Sequence, residues 1–276
     1  MSEAGRIVAL DIEAFEHAFY DVGVVVVMRS EALSAGTVSG DTVPESGVPG
    51  DTMQRLRAQL ERIQGRKLDA PVLPVHDALA PLLPGRGLRP GAAYSLPGST
   101  SLLLGLLAVP SRSGAWCGAV GMPQLGVEAA EAMGVDLSRL VLVPEPGRRW
   151  LAVTATIADV LPLVAVRPRG RVPDGEVSRL AARLRERGAV LLVDGPWPQA
   201  EAVLTVDQPE WHGLGRGHGY LEGRAVTVTS ASRRWPTPRR ARVMLPDAHG
   251  DVSRAPEAAL PAERPHLVPL EARAVG

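Results

Sequence analysis

Short, wholly apolar runs recur along the middle of the chain, and amphipathic stretches separate them. Runs at 140–143, 163–166 and 189–193 are apolar at consecutive positions, and those at 92–96 and 115–120 are broken only by Ser95 and Gly118, as strands buried on both faces require. Between them the apolar positions recur at helical spacing. They predict a helix after the Ser/Thr group at 99–101, one over 127–133 stopped by Gly134, and one over about 148–161 with Trp150, Val153, Ile157 and Val160 on its inner face. A further helix is predicted from Asp174, as its cap, to Gly188, burying Val177, Leu180, Ala181 and Leu184. Strands alternating with helices argue for an α/β fold with a mostly parallel sheet flanked by helices. From 202 the period changes to two. Residues 202–206, 225–229 and 242–245 read as half-exposed strands, an antiparallel C-terminal edge extension.

Before the core, Met53, Leu56, Leu60 and Ile63 mark an amphipathic helix, and Val75, Leu79, Leu82 and Leu83 a second, shorter one. The expected organisation is an acidic, poorly ordered extension and linker at 1–52, an N-terminal helix and linker at 53–84, the core at 85–246, and a loosely packed tail at 247–276.

Charge sharpens the first boundary. The 276 residues balance 30 acids against 30 bases, yet 1–52 holds nine acids and two bases, Arg6 and Arg29. Asp11 and Glu13 there read as part of a solvated acidic face. Residues 34–52 have linker composition, and Met53 follows, so one expectation is that translation of the native protein starts at Met53. The lone Cys117 excludes an internal disulfide and fits a reducing cytoplasm. The apolar run 24–28 is too short to span a bilayer, and no membrane association is expected.

The chemistry centres on 92–108. A strand, a turn at Pro97-Gly98, a hydroxyl cap and an apolar helix give the layout of a phosphate-binding loop. Such a loop needs a lysine on the phosphates, and Pro97, Gly98, Ser99, Thr100 and Ser101 supply none; Lys67 is the one lysine in the chain. The run 163–166 ends in Arg167 where an acid would hold magnesium, and Gly-Met-Pro-Gln124 follows Val120 where an acid would orient water. With all three parts missing, neither a catalytic residue nor a nucleotide cofactor nor a metal site is expected. His212 and His218 are too far apart across a glycine-rich loop to suggest a metal pair. From 211 to 246 seven arginines accompany one acid, Glu222. Among them Trp211, Arg233, Arg234, Trp235, Arg239 and Arg240 form a candidate surface for a protein partner or for single-stranded nucleic acid.

These residues carry a family resemblance. The run 126–143, Gly-Val-Glu-Ala-Ala-Glu-Ala-Met-Gly-Val-Asp-Leu-Ser-Arg-Leu-Val-Leu-Val, resembles the RecA recombinase segment that leads into its third core strand. Pro-Gly98-Ser-Thr-Ser in place of the P-loop, Arg149-Trp-Leu-Ala-Val153 and the run from Trp211 to Tyr220 resemble the actinobacterial ImuA-prime branch, RecA-like mutasome accessory proteins. The resemblance spans about 53–246. It implies a degenerate RecA-like, P-loop NTPase-type fold. The two loops that grip DNA in RecA are reduced here to 167–175 and 194–200.

The function implied is that of a non-catalytic adaptor in DNA-damage-induced translesion synthesis, cytoplasmic and nucleoid-associated on induction. Its implied partners are an ImuB-type inactive Y-family polymerase homologue and an error-prone C-family DNA polymerase, with weak DNA binding and self-association as further expectations. Leu56, Leu60 and Ile63, together with the arginine-rich region, are the expected partner faces. The rival readings are an ATP-dependent RecA-like recombinase or regulator, and a single-stranded DNA-binding module.

Overall fold

The structure, a computed structural model, describes residues Val25–Val26, 71–214 and 219–256. The predicted helix carrying Leu56, Leu60 and Ile63 lies outside the described residues, as does most of 1–52 and of the tail.

The apolar runs become strands β2 (Ala93–Ser95), β3 (Cys117–Val120), β4 (Leu140–Val143), β5 (Leu163–Val166) and β6 (Val190–Val193). All pair parallel with one another. The helices between them are α1 (Thr100–Arg112), α2 (Val127–Ala132), α3 (Trp150–Ala158) and α4 (Asp174–Arg187). The chain then adds β7 (Ala202–Leu214), β8 (Gly219–Ser232), β9 (Arg239–Met244) and β10 (Ser253–Arg254). With β1 (Val25–Val26) they make one sheet in the order β1-β4-β3-β5-β6-β2-β7-β8-β9-β10.

Two cores sandwich this sheet. On one face α1 and α2 contribute Leu102, Leu103, Leu106, Leu107 and Ala130. On the other, α3 and α4 contribute Trp150, Val153, Ile157, Val177, Leu180 and Leu184. The residues of β6 belong alternately to the two clusters and are fully buried, which is why its sequence shows no polar alternation.

Four expectations need correction. Residues 71–84 are not a linker: Val75, Leu79, Leu82 and Leu83 sit in the first core in place of a further helix on that face. They do so through 3-10 turns (Ala80–Leu82, Pro84–Arg86), because the prolines interrupt α-helical hydrogen bonding. Val160 is 62% exposed, since α3 ends at Ala158 and Val160 falls beyond the helical face that buries Ile157 and Ala158. Asp174 is the first helical residue of α4; Pro173 occupies the cap position without a side-chain hydrogen bond. Finally, residues 252–254 pack with the core, Val252 being 1% exposed and Ser253–Arg254 pairing with β9.

The Gly-rich run after Trp211 is also more regular than a loop. β7 and β8 continue as an antiparallel ribbon to Leu214 and Gly219. Register shifts lie between Asp207 and Glu210 and between His212 and Leu214, where Gln208 and Gly213 adopt positive φ.

Candidate functional site at the carboxy ends of the parallel strands

β2 runs beside β6 on one side and β7 on the other, so its following loop opens at the carboxy-terminal edge of the sheet. Helices leave β2 and β3 on one face and β4 and β5 on the other. A crevice at that edge is the usual consequence of such a change of face.

The loop has the predicted shape. Gly98 turns the chain with φ near 74°, and no atom lies near the position a Cβ would take. Ser99 caps α1, its hydroxyl accepting from the Leu102 amide at 3.2 Å. Pro97 and Gly98 are exposed, whereas Ser99 is buried.

Two arginines occupy the flanks. Arg167, just past β5, donates through Nε to Asp194 Oδ2 at 2.8 Å and reaches Thr100 Oγ1 at 3.5 Å. Arg224, on β8, donates to Ser101 Oγ at 3.1 Å and to the Leu245 carbonyl at 3.0 Å. The Trp211 ring stacks on that guanidinium, 5.3 Å from its centroid. Ser95 Oγ donates to the Gly195 carbonyl at 2.7 Å and fixes the loop after β6. The hydroxyls of the turn are therefore engaged within the chain.

Asp194 is the residue that sequence reasoning missed. The sequence pattern places the expected acid after β5, where Arg167 stands. The structure puts a carboxylate after the adjacent strand, its side chain 6% exposed and held by that arginine. The signal was present as Val-Leu-Leu-Val-Asp194, an apolar run ending in an acid. Only the strand order shows that this run lies beside β2.

The aromatic and arginine surface divides. Trp211 stands at the carboxy-end edge, opposite Arg224 on the ribbon. Arg233, Arg234 and Trp235 follow Ser232, which pairs with Ala202 at the other end of that ladder, about 30 Å away for nine residues of strand. At that end Arg239 lies 4.1 Å over the Trp235 ring and donates to the Pro81 carbonyl at 3.1 Å. Arg234 pairs with Glu201, which also pairs with Arg89 at 2.9 Å. Arg233 and Arg240 are exposed, and Arg240 faces Thr229 on the open side of the extension. Trp211 thus belongs with the loop at 97–101, not with Trp235. His212 is half-buried with an unpartnered Nε2, and His218 lies outside the described residues.

Residues 81–199 match the family model described as the MT3502 N-terminal domain. Over 158 residues the chain is 35% identical to the uncharacterized protein Rv3395c of Mycobacterium tuberculosis, an alignment covering 56% of this chain and 70% of the relative. The chain belongs to the MT3502 family. The matched MT3502 domain contains β2 to β6 and all four helices, hence the loop, Arg167 and Asp194; the antiparallel extension lies beyond it. Among the described residues no helix is long and apolar enough to cross a membrane, and no three metal-binding side chains cluster.

Proposed function

We propose that this chain is a non-catalytic adaptor of RecA-like fold in a DNA-damage-induced translesion-synthesis complex. In this reading it acts beside an ImuB-type inactive Y-family polymerase homologue and an error-prone C-family DNA polymerase. The supporting observation is the set of hydrogen bonds that engages the polar groups around the loop 97–101. Phosphoryl chemistry needs free donors and a metal-binding carboxylate there. In this protein the carboxylate of Asp194 is taken by Arg167, while Thr100 and Ser101 receive hydrogen bonds from Arg167 and Arg224. A fold without that lysine, whose loop hydroxyls and neighbouring carboxylate are engaged within the chain, keeps the architecture and offers surfaces instead. The motif resemblance supplies the choice of pathway and partners.

Two measurements test this. A micromolar ATP site held at about 1 mM ligand would add about 4 kcal/mol of stability; the expected result with ATP and magnesium is an unchanged melting temperature. Co-expression with the ImuB-type homologue should yield a complex that survives size-exclusion chromatography. ATP hydrolysis above background, or separate elution of the two proteins, would overturn the reading.

A further inference from the structure

On the side of the antiparallel extension the sheet ends in a half-covered edge. β9 spans Arg239–Met244, but β10 pairs with it only at Met244 and Val243, through Ser253 and Arg254. The Ala255 amide then donates to the Arg242 carbonyl at 3.2 Å, so the backbone of Arg242 points outward, away from β8. Outward-pointing residues alternate along an antiparallel strand, so the N–H and carbonyl of Arg240 point the same way. Among the described residues no strand pairs with Arg240 on that outer side. An edge left open in this way is a template for an added strand.

A groove of about 520 Å³ opens along the same stretch. Ala78, Pro81, Ala241, Ala255 and Pro256 give it an apolar lining, Arg242 and Arg254 are its charged residues, and no acid lines it among the described residues. Side chains alternate along β9: Ala241 and Val243 pack on the first core, whereas Arg240 and Arg242 lie on the opposite, open face. Arg240 and Arg254 are exposed and have no ion pair among the described residues. Arg239, at the head of the strand, engages the Trp235 ring and the Pro81 carbonyl rather than an acid. Of the four arginines only Arg242 has a carboxylate partner, Glu210. We propose that this edge of β9 binds an extended acidic segment of a partner protein as an added strand. Alternate side chains of that segment are apolar and enter the groove; the carboxylates between them face Arg240 and Arg242. An apolar lining rimmed by arginine suits a protein partner. It suits nucleic acid less well, because no free ring stands beside it for a base: Arg239 covers Trp235, and Trp211 lies at the far end of the ribbon. The site is separate from the loop 97–101 and does not depend on the translesion reading.

The test uses the full chain and a fluorescein-labelled peptide, Glu-Leu-Asp-Leu-Glu-Leu-Asp-Leu-Glu, read by fluorescence anisotropy. Saturable binding is expected, while a peptide of the same composition with its leucines contiguous should not bind. Arg240→Glu with Arg254→Glu replaces two exposed charges, so the melting temperature should hold while affinity falls about tenfold or more. Arg240→Pro removes the outward N–H as well as the charge. It should weaken binding about threefold or more beyond Arg240→Ala, the share of one hydrogen bond. A photoreactive p-benzoylphenylalanine placed at the exposed Pro256 should cross-link to the labelled peptide. Equal binding of the two peptides would overturn the proposal, as would equal affinity of Arg240→Pro and Arg240→Ala. So would displacement of the peptide by oligothymidylate or a short DNA duplex at equal concentration, which would assign the edge to nucleic acid. Cross-links that go instead to residues 257–276 of the same chain, or to a second copy, would assign it to those occupants and equally overturn the proposal.

Discussion

Arg167 Nε donates to Asp194 Oδ2 at 2.8 Å, joining the ends of two adjacent strands over the turn at 97–100. The carboxylate is nearly buried, while the guanidinium side chain stays 40% exposed. Arg167→Ala leaves that carboxylate desolvated and unpaired. Its cost should fall between the exposed and buried limits for ion pairs, about 2 kcal/mol in urea unfolding. Adding Asp194→Asn removes the orphaned charge, so the double variant should recover more than half of the loss. A double variant as unstable as Arg167→Ala would mean that the guanidinium acts through packing instead.

Gly105 lets α1 approach the segment that carries Val252. A Cβ there would meet Val252 Cγ2 at 2.8 Å. Gly105→Ala gains about 1 kcal/mol of helix propensity, but overpacking costs about 1–3 kcal/mol. The net expectation is a lower melting temperature. In a Val252→Ala background the clash is gone, and Gly105→Ala should be neutral or stabilising.

Asp159 ties α3 to α4. It accepts from Arg183 Nε at 2.7 Å and from Arg187 Nε at 3.2 Å. The Arg183 hydrogen bond holds its carboxyl below the ordinary value of 3.8. A depressed folded-state value stabilises above the ordinary range and is lost as pH falls through and below about 3.8. Asp159→Asn should cost about 1 kcal/mol at neutral pH and flatten the acid limb of a stability-against-pH curve. An unchanged acid limb would exclude Asp159 as its source.

Burial pushes the Cys117 thiol up from 9.0 to about 12. The folded state then holds a proton that the unfolded chain releases. Stability from this group is complete below about pH 9 and falls as pH rises toward 12, by up to about 1.4 kcal/mol per unit. Tyr94, likewise raised by burial from 10.0 to about 12, adds to the loss above pH 10. Cys117→Ala should therefore flatten the decline between pH 9 and 10, measured by denaturant unfolding. The native thiol should also resist alkylation at pH 8; rapid labelling would contradict its burial.

The sequence by itself determined the elements and the character of the central loop. Strands such as Val190–Val193 follow from short unbroken apolar runs and helices such as α4 from a period of 3.6, which are local properties of the chain. The missing lysine at 97–101 is equally local. Only tertiary structure decided what stands next to what. It set Asp194 beside the loop, because the chain passes over two strand positions to reach β3 and later fills them with β5 and β6. It parted Trp211 from Trp235 by the length of a β-ladder, although both lie in one arginine-rich stretch of sequence. It also drew 71–84 and Val252 into a core that their prolines and charges had concealed. Backbone period fixes a residue's face, but strand order arises from which distant apolar surfaces bury one another, and no local pattern records that pairing.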